Sequence, residues 1–169
     1  MKFCPECSLP TVVRSVEGRD RFCCDGCGFI HYEDPKLVAV TVVPIDGKLV
    51  LGRRSINPRK GYWSFPSGYV NRGETVEMAA SREVREETCL EVEMVHLLGL
   101  YSEPDNPIVL AVFAGRVTGG ALGPGDEVSE VGLFAPDQLP QMAFPNDARI
   151  VGDWLAYVRA NGSSDESGT

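Results

Sequence analysis

The sequence predicts an α+β chain in two parts, and three observations carry that prediction. Two C-x2-C pairs, Cys4/Cys7 and Cys24/Cys27, stand 16 residues apart near the N-terminus. Runs of β-branched and apolar residues recur from 37 to 134, as strands require. Two segments, 75–88 and 147–161, instead carry apolar residues at helical spacing. The predicted division is a small metal-stapled β unit over 1–33, a larger domain over 37–160 and a disordered polar tail, "GSSDESGT" and its flank, over 161–169. A length of 169 residues suits one full-sized domain with a small appendage.

In the first unit, each C-x2-C pair forms a tight turn whose two thiolates reach one ion, and two such turns complete a tetrahedral Cys4 shell for Zn²⁺. Between them "TVVRSVEGRDRFC" reads as two short strands around Gly18, the hairpin of a zinc ribbon. Four sulfur ligands leave no open position, so the zinc is expected to be structural, and about 30 residues need such a staple to fold. Cys23 is a spare thiol whose one-residue slip from Cys24 breaks the x2 spacing, and His31 is expected to be a packed or surface histidine.

After a polar junction at "YEDPK", "LVAVTVVPI" suits a buried strand. "DG" at 46–47 turns it into "KLVLGRRS", giving a hairpin. "GYWSFPSGYV" supplies a third, aromatic strand interrupted by Pro66. A helix follows from Thr75, a suitable N-cap, with Val76, Ala80 and Val84 as its apolar stripe. "LEVEMVHLLGLYS" and "IVLAVFAGRVTGG" are two further strands, and "SEVGLFAPDQLP" is a short one ending in a turn and a helix-start signal. Ile150, Trp154 and Val158 at helical spacing mark a closing helix.

Net charge is −8, with a pI near 4.8. Such a chain repels nucleic acid and anionic membranes, and an anionic substrate would need a metal ion or a local basic cluster. Residues 1–36 carry five basic and six acidic side chains, which offers no nucleic-acid footprint. No run of about 18 apolar residues is present. "MKFCPECSLP" lacks the apolar core of a signal peptide, so a cytoplasmic location is expected.

The stretch "SREVREETCL", 81–90, poses a question. Glu83, Glu86 and Glu87 share an arc of about 100° on one helix turn, where like charges repel. Reading outward, "GYVNRGETVEMAASREVREETCL" (68–90) gives G-x5-E-x7-R-E-V-x-E-E-x-C-L. This resembles the Nudix box, G-x5-E-x7-R-E-U-x-E-E-x-G-U with U bulky and aliphatic. Gly68, Glu74, Arg82, Glu83, Val84, Glu86, Glu87 and Leu90 match, and Cys89 stands in place of a glycine.

The resemblance implies an α/β/α sandwich with a mixed sheet and a metal-dependent pyrophosphohydrolase. Glu83, Glu86, Glu87 and the Gly68 carbonyl would hold Mg²⁺ or Mn²⁺, hard cations that take oxygen ligands. Arg82 would orient the carboxylates and Glu74 would hold the loop onto the helix. Glu86 and Glu83 are the nearest candidates for the base that accepts a proton from water, and Glu127 or Glu130 in a later loop are the others. In "GRRS", Arg54 matches the family's phosphate-binding arginine best and Arg53 second. Tyr101, Phe65 or Trp63 could stack on an adenine or flavin.

A zinc ribbon before the box resembles NADH, FAD and ADP-ribose pyrophosphatases. The NADH enzymes follow the box with S-Q-P-W-P-F-P, whereas "SEPDNP" (102–107) keeps Ser102 and Pro104 without the aromatic pair. The implied partner is a small nucleotide diphosphate, with a homodimer as a family-level expectation. Two other classes are a Nudix-derived nucleotide-sensing regulator, which the intact glutamates disfavour, and a zinc-ribbon nucleic-acid adaptor, which charge disfavours.

Overall fold

A computed structural model describes residues 2–162, which form two compact units, Met1–Pro35 and Lys36–Thr169 by chain division. In the first, β1 (Val12–Val16) and β2 (Arg19–Cys23) pair antiparallel. Glu17 and Gly18 make the turn at φ 54° and 77°, a left-handed pair that matches the twist of a hairpin.

The second unit is built on β3 (Lys36–Val42), β4 (Pro44–Ile45), β5 (Lys48–Arg54), β6 (Trp63–Ser64) and β7 (Ser67–Tyr69). These are followed by α1 (Val76–Thr88), β8 (Leu90–Ser102), β9 (Ile108–Gly120), β10 (Val128–Phe134) and α2 (Asp147–Gly162). One four-stranded sheet runs β7-β3-β9-β8; β3 and β9 are parallel within it, so the sheet is mixed. A second joins β10, β5 and β4, with β6 also on β5.

Strand periodicity sends alternate residues of β3 and β9 to opposite faces. Val40, Val42, Val112 and Ala114 pack with Ile150, Val151 and Trp154 of α2. Ala39, Ala111 and Phe113 meet Ala79 and Ala80 of α1 on the other face. The sheet therefore lies between two helices. Among the described residues no helix is long and apolar enough to cross a membrane.

Three details depart from expectation. Pro66 divides the aromatic strand in two, so β6 joins β5 while β7 joins β3. The helix-start signal at Asp137 yields one turn, closed by the Gln138 N–H on the Ala135 carbonyl. Asn161 and Gly162, given to the tail by sequence, complete α2; the rest of that predicted tail, 163–169, lies outside the described residues.

Candidate active site

Helix α1 begins at the predicted cap, where the Thr75 hydroxyl accepts the Met78 N–H at 3.2 Å. It ends at Cys89, which adopts the left-handed conformation (φ 58°, ψ 11°) that glycine usually supplies, with its N–H on the Arg85 carbonyl. Val84 is fully buried in an apolar group with Val43, Val50 and Leu90. That fixes the helix rotation and turns Glu83, Glu86 and Glu87 toward β7.

Arg82 is the hub of this face. Its Nε and Nη2 donate to both oxygens of Glu74 at 3.1 and 2.8 Å. Its Nη1 donates to Glu83 at 2.5 Å and to Glu86 at 3.0 Å, and Nη2 also reaches the Tyr69 carbonyl at 3.1 Å. The paired bonds from Arg82, helped by the Asn71 N–H, hold the Glu74 carboxyl down at about 2. In return those carboxylates hold the Arg82 guanidinium firmly protonated.

Glu87 is only 6% exposed, and one of its oxygens accepts the Ser67 N–H at 3.2 Å. Burial pushes its carboxyl up to about 8, against the Ser67 bond and with Glu83 adding to the rise. Burial raises the Glu83 carboxyl as well, although Arg82 opposes it. The Glu83 carboxyl also lies directly over Gly68, where any Cβ would overlap it. A side chain at 68 would have to displace the end of Glu83, which Arg82 holds.

Gly68, Glu83, Glu86 and Glu87 line one cavity of about 570 Å³, together with Arg54, Glu127, Tyr69, Phe144 and residues of α2. A buried carboxylate and a half-buried one, both raised by burial, an all-oxygen donor set and a glycine that admits a side chain against its backbone fit a hard divalent cation. Their oxygens are not gathered as tightly as the cysteine sulfurs, because Arg82 holds Glu83 and Glu86.

Arg53 and Arg54 face opposite ways, as neighbours on a strand must. Arg54 lines the cavity and uses Nε on the Pro58 carbonyl at 2.9 Å, and its guanidinium lies 5.2 Å from the Phe144 ring centre. Arg53 instead bonds the Gly61 carbonyl at 3.1 Å and pairs with Glu130 at 3.5 Å. Neither Arg53 nor Glu130 is among the residues that line the cavity, whereas Glu127 is. The cause is a bulge between Val128 and Glu130, which shifts the strand register on β5.

The three aromatics that could stack on a base sit in packed surroundings, as strand aromatics commonly do. Tyr101 reaches the cavity wall but is 1% exposed, donates its hydroxyl to Asp153 at 2.6 Å and carries Arg149 over its ring. Phe65 is core, and Trp63 packs edge-on against Phe134 at 4.7 Å. Tyr69 and Phe144, which sequence reasoning missed, are the more open aromatics on the wall. Tyr69 was legible in principle, since it directly follows Gly68.

In the first unit the sulfurs of Cys4, Cys7, Cys24 and Cys27 all lie within 4.8 Å of one another. Cys4–Cys27 and Cys7–Cys24 separations of 3.5 and 3.4 Å are too long for disulfides, whose bond is about 2.0 Å. They approach the spacing of about 3.8 Å set by tetrahedral Zn–S bonds of about 2.3 Å. The Cys27 N–H, with the Cys7 thiol and Gly26 N–H, lowers the Cys24 thiol to about 7. The neighbouring thiols instead push Cys27 up to about 12 and Cys7 upward, so without an ion the cluster favours a thiolate at Cys24 alone. Cys23 lies outside the set and turns its thiol to the Arg21 carbonyl; His31 is outside it too.

Comparison with known proteins agrees with both units. The NUDIX domain model matches residues 35–155, and the Nudix N-terminal zinc-ribbon model matches residues 2–33. An ADP-ribose pyrophosphatase of Methanocaldococcus jannaschii is 37% identical over 130 residues, 75% of this chain and 76% of that protein. The NAD-capped RNA hydrolase NudC of Pseudomonas aeruginosa is 31% identical over 167 residues, 97% of this chain. Those residues span 58% of that relative, so the chain corresponds to little over half its length. The crystal structure of a NUDIX hydrolase from Nitrosomonas europaea superposes with a TM-score of 0.84 at 31% identity, covering 97% of this chain and 94% of that one.

Proposed function

The chain belongs to the Nudix family and carries the family's N-terminal zinc ribbon, and from that premise we propose that it hydrolyses a diphosphate linking a nucleoside to a second group. The observation that carries the proposal is the cavity that collects Gly68, Glu83, Glu86 and Glu87 with Arg54 and Glu127. Glu83, Glu86, Glu87 and the Gly68 carbonyl are the proposed ligands of Mg²⁺ or Mn²⁺. Such an ion, when bound, neutralises phosphate oxygens and acidifies water.

The chain's own residues supply the remainder. Arg54 holds its Nε on the Pro58 carbonyl, and among the described residues its Nη groups make no hydrogen bond, which suits them to a phosphate. Glu127 is the proposed base: water attacks one phosphorus, its proton passes to Glu127, and the bridging P–O bond breaks. A nucleoside monophosphate and the phosphorylated second group result. Arg82 is a positioning residue, and Glu74 in turn aligns Arg82. The four cysteines are the proposed zinc ligands, a set that favours a reducing compartment such as the cytoplasm.

ADP-ribose is the preferred substrate in this proposal. The ADP-ribose pyrophosphatase relative supports it, as does the missing aromatic pair in "SEPDNP". The test is release of AMP from ADP-ribose, FAD and NADH with Mg²⁺ or Mn²⁺, in wild type and Glu86→Gln. Cleavage of ADP-ribose by wild type and a fall of at least about a hundredfold in the variant are expected. Undiminished cleavage in Glu86→Gln would overturn the assignment, and no cleavage of any of the three would leave a nucleotide-binding regulator.

A further inference from the structure

The loop that brings Glu127 to the cavity is anchored on both sides. On one, the Gly123 and Gly125 N–H groups donate to the Thr88 and Glu87 carbonyls at 3.0 Å each. These are carbonyls that the end of α1 leaves without partners in the helix. At Gly125 a Cβ would overlap the Glu86 carbonyl, so the loop rides directly on the helix that bears the acidic cluster. On the other side stands Ser55, the first residue beyond β5. Its backbone N–H and its hydroxyl both donate to the Glu127 carbonyl, at 3.2 and 2.6 Å.

Two donors on one carbonyl fix the plane of the Glu127–Val128 peptide and hence the direction in which the Glu127 side chain leaves the backbone. The hydroxyl bond is the shorter of the two. Ser55 also follows Arg54 directly, so the same strand end presents a cation to the cavity and grips the segment carrying the carboxylate. Val128 pairs with Arg54 across the strands, and the Gly52 position has no room for a Cβ against Val128, which keeps this junction tight.

We propose that Ser55 is a positioning residue: its hydroxyl sets the Glu127 carboxylate in register with Arg54 and the acidic face of α1. This rests on the reading of Glu127 as the base. A misplaced base slows the chemical step and leaves ground-state binding by Arg54 in place, so the signature is a loss of kcat without a change in KM.

Steady-state ADP-ribose hydrolysis with Mn²⁺ tests it in Ser55→Ala, Ser55→Thr, Glu127→Gln and Ser55→Ala/Glu127→Gln. Ser55→Ala is expected to lose about tenfold in kcat, a fraction of what general-base catalysis contributes, with KM within about twofold. Ser55→Thr, which keeps the hydroxyl, should recover most of the loss. In the Glu127→Gln background, Ser55→Ala should add nothing further.

If Glu127→Gln loses activity while Ser55→Ala keeps wild-type kcat, or if the two losses multiply, the positioning role is overturned. If Glu127→Gln itself keeps wild-type kcat, the base assignment fails and Ser55 falls with it.

Discussion

Arg82 meets four groups at once, both oxygens of Glu74, one each of Glu83 and Glu86, and the Tyr69 carbonyl. A guanidinium offers five donors in a planar fork, and no other side chain could serve this many acceptors from one point. Cys89 is a residue-scale departure of a different kind. A side chain held at φ 58° costs on the order of 1 kcal/mol that glycine avoids. Cys89→Gly is therefore expected to be neutral or to stabilise by up to about 1 kcal/mol in urea denaturation, with turnover unchanged. A large loss of turnover would assign the thiol a role that its exposed position does not suggest.

Asp147 gives a pH prediction. It is 5% exposed, and burial pushes its carboxyl up to about 6, although it accepts the Phe144 N–H at 2.9 Å. A carboxyl raised on folding favours the protonated native state. Its contribution is therefore full below the ordinary carboxyl range and is lost as pH climbs through about 6. Asp147→Asn retains an acceptor and carries no charge. Its stability relative to wild type should rise by about 1–3 kcal/mol between pH 4 and pH 7 in denaturant titrations. A difference that stays flat with pH would contradict the account of Asp147.

At the scale of elements, α1 approaches the sheet closely because small residues meet small residues. Ala79 and Ala80 on the helix face Ala39 and Ala111 on the strands, all essentially buried. Ala80→Leu should overpack this contact and cost about 1–3 kcal/mol by thermal or urea denaturation. Because the helix carries the acidic face, cation affinity should fall with stability. Wild-type stability in that variant would mean that the layer has slack the packing does not reveal.

Sequence legibility also divides by element. β8 and β9 occupy the predicted segments, 90–102 and 108–120; β9 opens on a nearly continuous apolar run, while β8 mixes Val, Leu and Met with Glu91, Glu93 and His96. Thr75 was readable because a cap demands particular residue types, and Gly68 because it opens the Nudix box; the close approach of Glu83 to it is a finding of the structure. Sidedness was harder. Arg53 and Arg54 are chemically alike, and only the register of β10 on β5, with its bulge, sends one to the cavity and the other to Glu130. Tyr101 reads as an available aromatic until its partner Asp153, 52 residues away in sequence, encloses it. The splitting of one aromatic strand between two sheets likewise depends on which neighbour claims each half.

For the whole molecule, a net charge of −8 places an anionic substrate at a disadvantage that a few arginines at the cavity do not reverse. The helix face adds to it, with Glu87 buried, Glu83 half-buried and Glu127 adding negative potential beside them. A dication bound there would convert a locally repulsive surface into one that attracts a diphosphate, and would let α1 retain three carboxylates in one turn. Isothermal titration of metal-free protein with Mn²⁺ tests this most directly. The wild type is expected to show a site that Glu83→Gln/Glu86→Gln/Glu87→Gln lacks, while a separate titration with Zn²⁺ gives the same result for both proteins. No site in the wild type, or an equal site in the triple variant, would contradict it.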